Sequence, residues 1–337
     1  MPEHILLTGG AGYVGINVAL ALILKGYVPI IYDNYSNSSP ETVAKLQKLM
    51  SSSIISVTGD INNKQRLLST LRKFEPSAVI HCAALKNVIE SLQFPTRYYE
   101  VNVNGYITLL SSLHETGINN LVISSTANIY GEPAYLPICE QHPKIPKNPY
   151  GISKLTCEQL SASLAESSET MSITALRYFN PAGSDPSFTF GDTPLHKSSA
   201  SLFPIIGNAI LNDESITIYG SDFSTSDGYA TRDFIHISDL AEGHIHALEF
   251  TKRNKGFRAF NLGLGRGHSV NEVLQTFSRT SGKKVKTEIV ERRAHEVGAC
   301  YADVTKANLE LKWKAKLTLA EMVESAWQYY KISKFQL

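Results

Sequence analysis

The chain has 337 residues, 43% of them hydrophobic, with 32 basic against 31 acidic side chains and a formal net charge of +1. That balance, with no run of like charge, excludes a nucleic-acid groove or a membrane-adsorbing face and leaves a small molecule as the expected partner. The length allows one large or two closely packed domains. Four cysteines, Cys82, Cys139, Cys157 and Cys300, lie far apart without C-x-x-C spacing, which argues against a zinc site or a disulfide framework and fits a reducing compartment. The apolar run Val18 to Leu24 falls far short of the roughly 20 residues a bilayer requires. No basic region or small-residue cleavage pattern precedes the first strand, so a cytoplasmic, untargeted chain is expected.

In chain order, short β-branched runs alternate with segments of helical periodicity. Strands are expected at His4-Leu7, Val28-Tyr32, Ile54-Val57, Ala78-Ile80, Leu121-Ser124 and Ile173-Leu176, with helices at Tyr13-Lys25, Lys64-Phe74 and Tyr98-His114. This alternation specifies an α/β fold, a Rossmann-type doubly wound parallel sheet, over residues 1–180. Beyond Asn180 the pattern loosens into the Gly/Ser/Pro-rich PAGSDPSFTFGDTPLHKSS and shorter mixed elements. A smaller mixed α/β substrate-binding domain is expected over 181–337, with 230–250 a candidate for returning to the first domain.

The run ILLTGGAGYVG follows the first strand and opens a helix, satisfying both Gly10-x-Gly12-x-x-Gly15 and Gly9-x-x-Gly12-x-x-Gly15. Glycine lets the backbone turn tightly and approach a pyrophosphate at the positive end of a helix. Asp33, eighteen residues past Gly15, ends the second strand, where a carboxylate accepts from ribose hydroxyls and repels a 2′-phosphate; NAD is therefore expected rather than NADP. Asp60, after the third strand, fits an adenine contact or a loop cap.

In NPYGISK, Asn148 and Pro149 suit the N-cap and first position of a helix, which puts Tyr150 and Lys154 one turn apart on one face. At roughly 5 Å and an effective dielectric near 20, the ammonium would favour the phenolate by about 3 kcal/mol, on the order of two pKa units, preparing Tyr150 as a general base. The alternative is a half-buried ring with its lysine in water. The neighbouring SSTANIYG supplies Ser124, Ser125 and Thr126 at the C-terminal edge of the sheet, where doubly wound folds bind ligands. His244 and His246 look like a metal pair, but i and i+2 on a helix face differently, and no metal is expected.

These segments, together with YDNYSNS, GDI, HCAALK, NVNG, RYFNPAG, TRDFIHISDLAEGH and ERRAHEVGACYAD, run in order along nearly the whole chain. In them the chain resembles the extended short-chain dehydrogenase/reductases, and within these the UDP-glucose 4-epimerase family. That resemblance implies an isomerase of nucleotide-sugar and galactose metabolism whose partners are a UDP-sugar substrate and a second copy of the chain in a homodimer, with no nucleic acid and no membrane. It implies a bound NAD, Tyr150, Lys154 and Thr126 as the catalytic group, and a 4-keto sugar that turns while its UDP is held. Cofactor contacts carry over to Gly9, Gly12, Tyr13, Val14, Gly15, Asp33, Asn34, Asn37, Ser38, Asp60, Ile61, Ala83, Lys86, Asn102, Ser124, Tyr150, Lys154 and Phe179. Substrate contacts carry over to Lys86, Val88, Thr126, Asn180, Ser201, Leu202, Thr217, Tyr219, Arg232, Arg293, Glu296 and Cys300.

The chain departs from the family pattern at Thr126, usually serine, at Ser201, Glu296, Asn87 and Ile89, and at Cys300, where a tyrosine restricts related enzymes to unmodified sugars. A small residue there implies room for an N-acetyl group, hence UDP-GlcNAc/UDP-GalNAc as a further or main substrate pair. A sugar-nucleotide 4,6-dehydratase would need an Asp-Glu pair where Ala127 and Asn128 stand. A non-catalytic NAD-binding sensor is the reading from another class.

Overall fold

The computed structural model describes residues 2–193, 201–293 and 296–333. Its strands are β1 (His4–Thr8), β2 (Val28–Asp33), β3 (Ile55–Thr58), β4 (Ala78–His81), β5 (Asn120–Thr126), β6 (Ser172–Tyr178), β7 (Asn180–Ala182), β8 (Ser215–Tyr219), β9 (Thr231–His236), β10 (Gly256–Leu262), β11 (Gly267–Ser269), β12 (Lys286–Val290) and β13 (Ala299–Cys300). The helices are α1 (Tyr13–Leu24), α2 (Pro40–Met50), α3 (Lys64–Phe74), α4 (Val88–Gln93), α5 (Pro95–Tyr98), α6 (Gly105–Thr116), α7 (Pro149–Glu166), α8 (Leu202–Asn212), α9 (Ile237–Arg253), α10 (Val270–Ser281) and α11 (Leu319–Ser333).

Seven strands form one parallel sheet in the order β10-β6-β5-β4-β1-β2-β3. Each of the six strands expected from the sequence is present within two residues of its expected bounds. The strands are apolar on both faces because helices cover both. One face buries Val18, Leu22, Ile31, Leu176, Leu240 and Leu248 under α1 and α9, the other Ile30, Leu67, Leu109, Leu121 and Ile173 under α3, α6 and α7. Strand order reverses between β1 and β4, so the crevice for a ligand opens above their C-terminal ends.

Two features differ from the sequence expectation. The helix expected over Tyr98-His114 begins as a wider π turn, Tyr99–Asn104, which turns Asn102 inward onto Leu85 and Ser153. The large sheet has a seventh strand, because 237–262 returns through α9 to deliver β10 beside β6, further than the 230–250 expected.

The remaining elements build a second core from Phe203, Ile206, Phe277, Met322, Trp327 and Tyr330 on α8, α10 and α11. It carries two small sheets: β11-β9-β13, with β7 also paired to β9, and the parallel pair β12-β8. No helix among the described residues is long and apolar enough to cross a membrane, and among them no group of three His, Cys, Asp or Glu is placed to hold a metal ion.

Candidate active site

The glycine loop joins β1 to α1, with Gly12 as N-cap and no side-chain cap on the helix. Gly9 adopts φ +68°, and a Cβ there would lie 2.6 Å from the Ala83 nitrogen; one on Gly15 would lie 2.2 Å from the Gly9 carbonyl oxygen. At Gly12 the nearest atom to such a Cβ is the Gly9 oxygen at 3.4 Å, so the loop is packed below and open above. This cradle fits a pyrophosphate at the helix N-terminus. Asp33 is buried and accepts from the Ala11 and Tyr35 backbone N–H groups and from the Ser38 hydroxyl, each at 2.9 Å. It therefore ties the glycine loop to the β2–α2 turn that contains Asn37.

Of the other expected cofactor contacts, Tyr13 donates its phenol to the Gly183 carbonyl at 2.8 Å, Val14 lies in the first turn of α1, and Phe179 is fixed by its N–H to Leu262 at 3.0 Å. Asp60 accepts from the Asn34 amide at 2.7 Å and from the Asn62 N–H at 2.8 Å, the geometry of a loop cap; Ile61 beside it is buried. Asn102 accepts from the Leu85 N–H and donates to the Leu85 carbonyl and Ser153, holding the loop that carries Ala83 and Lys86.

Helix α7 starts as its sequence dictates. Asn148 caps it, its side chain accepting from the Gly151 N–H at 2.8 Å, with Pro149 at the first position. A Cβ on Gly151 would lie 2.8 Å from the Asn128 carbonyl oxygen, and this close approach seats Tyr150 and Lys154 against the end of β5. Tyr150 is buried, edge-on to Tyr98 with centroids 6.4 Å apart. Lys154 is buried and donates to the Ser124 carbonyl at 2.9 Å. Thr126 Oγ1 accepts from both the backbone N–H and the side-chain amide of Asn128, at 3.2 and 3.1 Å. With its lone pairs so engaged, the Thr126 hydroxyl is oriented to donate.

Electrostatics here differ from the sequence expectation. Burial pushes Tyr150 up to about 12, and a hydrogen bond with Thr126 pulls it back. Burial also lowers the Lys154 pKa, opposed by Cys157, Cys82 and Glu158. The fall towards neutrality expected from Lys154 is not produced: desolvation of the phenolate outweighs the Thr126 hydrogen bond, and the Lys154 ammonium is directed to the Ser124 carbonyl instead.

On the substrate side, Arg232 pairs in register with Cys300 and lies 3.7 Å from Glu296, rather than pairing with Asp233. Asp233 is instead fully buried and accepts from the Leu264, Gly265 and Ala302 N–H groups. One Glu296 carboxylate oxygen is buried without a hydrogen bond among the described residues. Arg293 stacks 3.7 Å over the Tyr219 ring, and Tyr219 shares the exposed face of β8 with Thr217. Cys300 is half-buried and packs on the small cluster of Ile129, Tyr130, Ile138, Phe179 and Ala302. Asn180 is exposed at the start of β7, and Ser201 and Leu202 open α8.

Three site features escaped the sequence reading. Asp192 accepts from the Ser201 hydroxyl at 2.6 Å and lies 3.8 Å from the Lys86 ammonium, joining two expected contacts; GDT gives no local signal of this. Asn128 orients Thr126. Asn87, a departure from the family pattern, caps α4 through the Ile89 and Glu90 N–H groups, just ahead of Val88.

The chain matches the family model described as GDP-mannose 4,6 dehydratase over residues 6–326. It is 41% identical to the UDP-glucose 4-epimerase of Homo sapiens over 98% of this chain and 97% of that protein. The solved UDP-glucose 4-epimerase from Stenotrophomonas maltophila, with bound NAD and formylated UDP-arabinopyranose, superposes with a TM-score of 0.96 at 35% identity over 98% of this chain and 99% of that one. The Bifidobacterium longum enzyme, in complex with NAD+ and UDP, gives 0.93 at 34% identity over the same shares. Within the extended short-chain dehydrogenase/reductases, this chain therefore belongs to the UDP-glucose 4-epimerase family.

Proposed function

We propose that the chain is an NAD-dependent isomerase that interconverts UDP-glucose and UDP-galactose at C4. The observation that carries this reading is the convergence of a donor-oriented Thr126 hydroxyl, the buried Tyr150 phenol and the Lys154 ammonium beside a glycine cradle open for a pyrophosphate. NAD, held by the glycine loop and Asp33, supplies a reversible hydride acceptor. Tyr150 takes the proton of the sugar 4-hydroxyl and later returns it. Thr126 donates to the oxygen at which charge changes, and Lys154, one turn further along α7 and fixed by the Ser124 carbonyl, brings a buried positive charge to this end of the sheet. Arg232 and Arg293 suit the diphosphate through their planar forks, so the nucleotide stays bound while the sugar turns. Elimination of water, as in a 4,6-dehydratase, needs an acid and a base; Ala127 and the amide of Asn128, engaged with Thr126, are neither.

Cys300 supports a wider substrate range, UDP-GlcNAc and UDP-GalNAc included, because its small side chain lies in register with Arg232. Assays of purified protein with UDP-galactose and UDP-GalNAc in parallel test both readings. Turnover of both is expected, with Cys300→Tyr losing the second and keeping the first; no product from UDP-galactose would refute the epimerase reading, and none from UDP-GalNAc the wider range. A second copy of the chain is the expected protein partner. Exposed Ile89, Leu92, Phe94, Tyr99 and Ile152 support its packing on the α4, α5 and α7 side, which sedimentation equilibrium tests.

A further inference from the structure

Behind the catalytic trio lies a buried polar chain that the reaction above does not use. Ser124 lies two residues before the end of β5 and Tyr178 ends the neighbouring β6, and their hydroxyls are hydrogen-bonded. The Tyr178 hydroxyl also bonds His244 Nε2 at 2.6 Å, and His244 Nδ1 bonds the Leu240 carbonyl at 2.9 Å. Cys82, at the end of β4, lies against both hydroxyls. All of Ser124, Tyr178 and His244 are buried, His244 completely. In the sequence His244 stood out only as half of an apparent metal pair; its partner here is a tyrosine at the C-terminal end of β6.

The direction of every proton in this chain follows from one end. A carbonyl only accepts, so the Leu240 contact puts the imidazole proton on Nδ1. Burial keeps the ring neutral, its pKa lowered to about 4, which leaves Nε2 a bare acceptor. The single Tyr178 proton must then go to Nε2. Its oxygen is left to accept, so the proton between the two hydroxyls belongs to Ser124. Ser124 is thereby left with lone pairs and no proton to offer, while its own carbonyl holds Lys154. Within the protein, its neighbouring donor is the Cys82 thiol, a weak one.

We propose that His244 is a positioning residue which, through Tyr178, locks the Ser124 hydroxyl as an acceptor toward the crevice, selecting a ligand group that donates an N–H there. The group of that chemistry in the cofactor proposed above is the carboxamide of its nicotinamide, so the inference rests on the NAD reading. A hydroxyl free to rotate would accept from an amide or donate to a ketone alike. A locked one distinguishes them, because a ketone facing it would leave two acceptors opposed.

The test is equilibrium exchange of bound dinucleotide on the full-length protein, comparing NAD with its 3-acetylpyridine analogue, in which a methyl ketone replaces the amide. Wild type is expected to bind NAD at least tenfold more tightly than the analogue. His244→Gln, whose amide offers either a donor or an acceptor, is expected to shrink that ratio severalfold. Ser124→Ala, which removes the acceptor and leaves the rest of the chain intact, is expected to shrink it equally. In wild type, ring-nitrogen NMR should find His244 as the neutral Nδ1–H tautomer from pH 6 to 8. An unchanged ratio in Ser124→Ala, or an Nε2–H tautomer, would overturn the inference alone. Failure of wild type to take up either dinucleotide would overturn it together with the NAD reading.

Discussion

Tyr150 sits where burial works against the charge a general base must carry. The protein alone holds it at about 12, so the working range near neutrality has to come from a nearby positive charge, and the nicotinamide ring of bound NAD brings one. Two outcomes follow for the residue. Tyr150→Phe should keep nucleotide binding within a few-fold while epimerisation falls by two or more orders of magnitude, the size of a lost general base; near-normal turnover would remove Tyr150 from its role. The phenolate absorbance lost in that variant should appear at a pH at least two units lower in NAD-loaded than in NAD-stripped wild type. Equal midpoints would mean that the cofactor does not prepare the base.

Helix α7 holds this residue through a buried ionic network one turn beyond Lys154. Arg177 on β6 donates to both carboxylate oxygens of Glu158, at 3.0 and 2.7 Å, and Ser125 on β5 donates to the same group. Arg177 also donates to the Tyr130 hydroxyl and the Glu140 carbonyl. Glu158→Gln would leave the guanidinium buried without its counter-charge, and a loss of about 3–5 kcal/mol in unfolding free energy is expected from denaturant titration; a loss under about 1 kcal/mol would show the network to be dispensable. How much was legible in the sequence follows from the reach of each contact. The glycine loop, the Asn148 cap and the Tyr150–Lys154 spacing are written in neighbouring residues, and the six strands in local periodicity. Glu158 with Arg177, Asp192 with Lys86, and His244 with Tyr178 are joined only by the fold, between types common in any helix or loop. The return of β10 to the large sheet was illegible for the same reason: a single strand pattern does not name its neighbour.

At the scale of the molecule, burial keeps His81 neutral, at about 3, and likewise His236 and His244, at about 4. Unfolded, each would titrate near 6.5. Their folded pKa values are depressed, so the unfolded chain gains protons first as the pH falls. Their contribution to stability is fully present above pH 6.5 and is lost towards pH 4, by about 1.4 kcal/mol per histidine per pH unit. His236, bonded to Ser325 and to the Ser238 N–H, stands apart from the catalytic trio; His236→Gln should reduce the slope of unfolding free energy between pH 6 and 4.5 by about 1.4 kcal/mol per unit. An unchanged slope would contradict this. The central claim, that a proton-exchanging tyrosine and a hydride carried within one site invert C4, is tested most directly with UDP-galactose bearing deuterium at C4, turned over in ordinary water. The account predicts UDP-glucose with the deuterium retained at C4. Loss of the label to solvent would contradict it.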